Sequence, residues 1–187
     1  MDLTEDTLAP EVVVRRGAAT DIDIRHGDRG GPPVVGVVEG AVWARAEPAT
    51  PGVDLGHGAL NVVVRSGTAL LDAQAGAGLV IVLRGEVEIS SNGELERVAT
   101  AGDAVTFDAT GRISDPDPVD AAELARDPFV SLNLVLDALG GVPVRLPGPA
   151  PLEPTTGKPP PAPVTAVDDD APSDRRRAKG LFARSKR

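Results

Sequence analysis

At 187 residues, with 28 acidic and 19 basic side chains and a net charge of −9, the chain is long enough for one domain with a core and a tail. It has no Cys, which excludes a disulfide framework, a thiolate metal site and a cysteine nucleophile, and fits a reducing cytoplasm. Trp occurs once, Phe three times and Tyr never, so a core must come from Val, Leu, Ile and Ala, while 21 Gly and 18 Pro favour many turns over a helical bundle.

The first ten residues are polar, lack a charged-then-apolar leader layout and are expected to be loose. Residues 11–16 read as a strand around Val12, Val13 and Val14, and residues 21–25, "DIDIR", alternate as a half-buried strand should. "HGDRGGPP" is a loop by its turn chemistry. Strands follow at 34–38 and 41–46, split at Glu39-Gly40. "EPATPGVDLGHG" reads as a loop, and residues 59–65 and 68–73 as two more strands.

Residues 79–83 form an apolar run and residues 86–89 alternate Glu, Val, Glu, Ile. Asn92-Gly93 signals a tight hairpin, because both residues tolerate positive φ. Strand 95–99 returns, Gly102-Asp103 turns, and 104–107 is the next strand. Residues 112–119 are Asp/Pro-rich loop, and 120–126 suit one or two helical turns. "FVSLNLVL", residues 129–136, alternates like a strand, and 142–146 suit an edge strand, where Pro143 is tolerated. Short strands at close spacing, without amphipathic segments of about 10–15 residues between them, predict an all-β sandwich or barrel. No apolar stretch approaches the roughly 18 residues of a transmembrane helix.

Beyond residue 146 the composition turns to Pro, Asp and small residues, which bury too little surface to offset ordering entropy. The expected organisation is a barrel domain over 1–146, a disordered Pro/Asp-rich linker over 147–174 and a basic tail over 175–187. Residues 151–187 hold 8 basic and 5 acidic side chains, leaving 11 basic and 23 acidic ones before them. The domain is therefore acidic and repels nucleic acid and anionic lipid. The tail "RRRAKGLFARSKR" offers Arg175, Arg176, Arg177, Lys179, Arg184, Lys186 and Arg187 around Leu181 and Phe182. Such a segment suits an anionic membrane, nucleic-acid phosphates or an acidic partner, or is simply solvated.

The stretch from Val80 to Ala109 carries an apolar strand with Gly85 after it, the Asn92-Gly93 hairpin, Gly102-Asp103, Val105 and Phe107. This pattern resembles the cupin superfamily, the double-stranded β-helix of small bacterial barrels. The resemblance implies a cupin-like jelly-roll barrel followed by the Pro-rich tail, and a homodimer formed through sheet edges. Metal-binding cupins place His-x-His and Glu before this stretch and a further His after it. Here Asp72, Gln74 and Arg112 fall at or near those positions, and no His does. The expectation is a barrel with no metal and no cofactor. A cyclic-nucleotide reading has Arg112 but lacks the Gly-Glu and short apolar helix that accompany it, and Asp115, Asp117 and Asp120 oppose an anion. A second likeness is to the HutD/Ves-type branch, in which an Asn-containing strand lies near the end; "SLNLVL" stands in that place.

His26 and His57, the only histidines, lie in Gly-rich loops and read as solvated. Glu86 and Glu88 share one strand face and read as an outer, solvated row. Trp43 alternates with Val42 and Ala44 and suits the core or a pocket wall. Asn61 and Asn133 interrupt apolar strands and are candidates to face the lumen and bond a ligand or a neighbouring strand. The candidate ligand-binding set is Asp72, Gln74, Arg112, Asn61 and Asn133, with no catalytic residue. Three functions follow: a metal-free module binding a small molecule or a protein, a scaffold anchored by its basic tail, and a cupin-type enzyme with a non-standard site.

Overall fold

The computed structural model describes residues 2–27 and 30–146. The predicted linker and basic tail, and with them the seven tail residues named above, lie outside the described residues. Within the described part the chain is all-β with two short helices: β1 (Leu3–Ala9), β2 (Val12–Gly17), β3 (Asp21–Arg25), β4 (Val34–Ala46), β5 (Val53–His57), β6 (Leu60–Gln74), β7 (Ala77–Ser91), β8 (Glu94–Thr100), β9 (Asp103–Phe107), β10 (Asp117–Pro118), α1 (Ala121–Leu124) and α2 (Pro128–Leu139). The strand path β1-β2-β4-β5-β6-β7-β9-β10 is open at its ends, with β3 added to β4 and β8 to β7.

Three pairs of predicted strands are single long strands. Segments 34–38 and 41–46 join as β4, 59–65 and 68–73 as β6, and 79–83 and 86–89 as β7. Each changes the parity of its buried residues midway. Val35 and Val37 give way to Val42, Ala44 and Ala46; Val62 and Val64 to Ala69, Leu71 and Ala73; Val80 and Val82 to Val87 and Ile89. Alternation alone would send the second half of each strand to the opposite face. The bends reverse that and keep both halves on one interior.

The bends occur at glycine for a geometric reason. Gly67 and Gly85 are cross-strand partners beside a register shift, at φ 157° and 74°. A Cβ on Gly67 would lie 2.3 Å from the Arg84 carbonyl oxygen, and one on Gly85 2.3 Å from that of Ser66. The Gly85 expected to separate two strands is thus the corner of one strand. Bending lets β4 pair in parallel with β5 through Val34–Gly36 and antiparallel with β6 through Gly40–Ala46, while β5 pairs with the first half of β6. That closed circuit of pairings is impossible in a flat sheet, so the sheet wraps around its own apolar face.

The remaining differences are local. The first residues are not loose: β1 pairs antiparallel with β2. The loop before residue 59 contains β5, and the Asp/Pro-rich loop contains β10. The helical turn after Asp120 is present as α1, with the Asp120 carboxylate accepting from the Ala122 and Glu123 N–H groups. Residues 142–146 form no strand.

The largest correction is α2, which occupies residues expected to form a strand. Asp127 caps it, accepting from Val130 N–H at 2.9 Å, and Pro128 takes the first turn, where its missing N–H costs nothing. Alternation misled because apolar residues lie all around this helix. Phe129, Val130, Asn133 and Asp137 are buried, whereas Val135 and Leu139 are 55% and 80% exposed. "SLNLVL" is therefore helical, which removes the strand on which the HutD/Ves likeness rested.

Candidate functional site

The inward apolar residues of the wrapped sheet form one cluster, including Leu55, Val62, Leu71, Val82, Ile89 and Phe107, with Ser91 and His57 on the same face opposite Leu60. The outward residues of the same strands form a second cluster. Trp43, Leu70, Ile81 and Leu83 meet Leu124 of α1 and Phe129 and Val130 of α2. Trp43 is thus fully buried, on the outer face and not in the interior.

Helix α2 is fastened to this outer face by charge. Asp137, fully buried, accepts from Arg15 Nη1 at 2.6 Å, Arg45 Nη1 at 2.8 Å and Trp43 Nε1 at 3.1 Å. The outward row continues the alternation: Arg15 also pairs with Glu5, and Arg84 pairs with Glu47, whose carboxylate lies 4.0 Å from Arg45. A carboxylate taken from water is tolerated only with such partners, and Asp137 has three donors. Asn133, also buried, donates from Nδ2 to the Phe129 carbonyl at 2.8 Å. The site that sequence reasoning missed is this clamp. Its signal was Arg15, Trp43 and Arg45 at outward positions of otherwise apolar strands.

Among the described residues α2, with Val144 and Leu146, leaves part of the outer face uncovered. A groove of about 330 Å³ lies over β6, β7 and β9, floored by Leu70, Leu79, Ile81 and Ala104 and walled by Val119 and Leu124. Asp72, Asp120, Glu123 and Asp127 rim it. Asp120 and Asp127 are there because they cap α1 and α2; Asp72 is there because it follows Leu70 at period two. Its size is that of a small-ligand cleft or of two or three apolar side chains.

The predicted residues do not come together. Asp72 is half-buried in the groove, whereas Gln74 is exposed at the β6–β7 turn. Arg112 is exposed in a separate surface hollow of about 520 Å³, shared with Arg97, Asp108 and Asp115. There Arg97 pairs with Asp115 at 2.9 Å, so part of the cationic charge is already matched. Asp108 Oδ1 accepts from Thr110 Oγ1, Thr110 N and Arg112 N, and these bonds hold its carboxyl below the usual range. Asn61 lies on β6 between inward-facing Leu60 and Val62, so it points away from the interior. Asn133 lies under α2. His57 sits at a small recess, its Nδ1 2.8 Å from the Val37 carbonyl and its ring 5.5 Å from that of Phe107; His26 is exposed. Among the described residues no three His, Asp or Glu side chains converge as metal ligands, and no helix is long and apolar enough to cross a membrane.

No family model matches the chain, and no curated protein does. Its fold is similar to that of two crystal structures from Parabacteroides distasonis, each described as a "putative anti-sigma factor". One is 18% identical, with 73% of this chain and 69% of that chain covered at a TM-score of 0.54. The other is 17% identical, with 75% and 71% covered, also at 0.54. At this identity the likeness concerns the fold.

Proposed function

We propose that the chain is a non-catalytic, cupin-like domain that binds another protein through the outer face of its sheet. The observation that carries this is the contrast between the two faces. The interior, where a cupin enzyme would hold its site, is filled mainly by Val, Leu, Ile and Phe side chains, whereas the outer face beside α2 carries a groove with a largely apolar floor. A concave groove with an apolar floor and a few convergent polar groups is the usual form of a binding site. The fold neighbours support the same reading, and regulation of the anti-sigma kind is its specific form. Asp72 is the predicted residue that belongs to this site. The domain boundary after residue 146, homo-oligomerisation and cytoplasmic residence are parts of the proposal, as is an auxiliary contact through the basic residues 175–187.

The test is affinity purification of the tagged full-length protein from its own host, with Val119→Arg as the variant. Val119 is half-buried in the groove wall, so the charge alters the groove without entering the core. A partner retained by the wild type and lost by the variant, at unchanged circular dichroism, supports the reading; a sigma factor as that partner supports its specific form. Identical partners for both proteins would refute it.

A further inference from the structure

Building on the groove as a protein-binding site, we infer that its occupant is a basic segment: a stretch of partner chain whose apolar residues enter the groove while flanking Lys or Arg meet the rim. Elsewhere on this face buried Asp137 is matched by Arg15 and Arg45, and half-buried Glu47 by Arg84. The rim differs. Among the described residues, Asp72, Asp120, Glu123 and Asp127 form no salt bridge and no basic residue lines the groove.

Four carboxylates around an apolar floor select by sign. Like charge disfavours an acidic segment, and a neutral apolar segment gains the floor but none of the attraction. A basic one gains both, and the long stems of Lys and Arg add apolar contact while their charged ends reach the rim. The volume of about 330 Å³ admits two or three apolar side chains, which suits a short segment rather than a broad face.

Two of the rim groups are free of structural duty. Asp120 and Asp127 cap helices, whereas Asp72 and Glu123 cap neither. Asp72→Asn with Glu123→Gln therefore lowers the rim charge with little effect on the fold. The experiment places a photo-crosslinking phenylalanine analogue at Val119 of the full-length protein in its host, and mass spectrometry maps the captured segment. The expected result is one partner protein joined through a Lys/Arg-rich segment with interleaved apolar residues. Its yield should fall about five- to tenfold in the double variant, as loss of two exposed ion pairs implies. A neutral or acidic captured segment, or a yield the double variant leaves unchanged, overturns the basic-segment inference and leaves the groove reading standing. Capture of this chain itself, in the same or a second copy, overturns the inference of a separate partner. Absence of any crosslinked protein overturns both readings.

Discussion

The two sides of one sheet are held by different physics. Inside, Leu55, Leu71 and Ile89 pack among other aliphatic side chains, and their attraction is non-directional area burial. Outside, Phe129 and Val130 provide apolar contact for α2, but Asp137 fixes its position through three donors of fixed geometry. An apolar interior tolerates exchange among aliphatic residues of similar volume. A buried carboxylate between two guanidinium groups tolerates almost none, because removing one member leaves the others in a dry place without partners.

Asp137→Ala is the most severe test of this contrast. Arg15 and Arg45 would lose their shared buried partner, which costs on the order of 3–5 kcal/mol. The single Trp makes the effect local and visible, since Trp43 lies directly under α2. Its emission should shift to the red while the far-ultraviolet β signal persists. Simultaneous loss of both signals would show that the two sides are one cooperative unit.

Leu55→Ala in the interior should cost about 2–5 kcal/mol, within reach of the first effect but different in kind. The melting transition should move down as a whole, with Trp43 emission unchanged below it. A red shift of Trp43 before melting would blur the comparison.

A pH titration sharpens it further. Burial pushes the Asp54 carboxyl up, with Arg65 pulling it back and Glu88 adding to the rise. A raised folded value means that stability is fully present below the ordinary carboxylate range and is lost as pH rises through that raised value. Asp54→Asn should therefore melt higher than wild type at pH 7, and the two should converge in acid. Asp108, held low by Thr110 and Arg112, has the opposite sign. Its ionised-state contribution is present above the ordinary range and disappears as pH falls through its lowered value, so the deficit of Asp108→Ala should be largest at neutral pH and shrink in strong acid. Parallel melting curves across the titration would remove both assignments.

The smallest effect is expected at the outward side of α2. Leu139→Gln changes a residue that is 80% exposed, and stability should stay within about 0.5 kcal/mol of wild type. A large loss would mean that this stripe is covered.

The same contrast explains what the sequence made legible. Period-two alternation located most strands, because the interior selects on apolarity alone; the Asn92-Gly93 turn was visible because both residues take positive φ, at 52° and 82°. The bends at Gly67 and Gly85 looked like chain breaks, since a parity switch within one strand and a turn between two leave the same pattern. Helix α2 was missed for a deeper reason. It turns Asn133 and Asp137 inward and Val135 and Leu139 outward, so its hydrophobic pattern does not reveal its buried side. Of the proposed binding residues only Asp72 reached the groove, because the groove is assembled from β6, β7, β9 and the two helix caps, which are distant in sequence.

The most direct measurement of the central claim is amide hydrogen exchange of the full-length protein, free and saturated with the partner recovered by crosslinking. The account predicts added protection in residues 70–74, 77–83 and 119–127, around the groove, with β8 and the interior strand β5 unchanged. Protection confined to β8 or to the Arg112 hollow, with the groove segments exchanging as in the free protein, would contradict it.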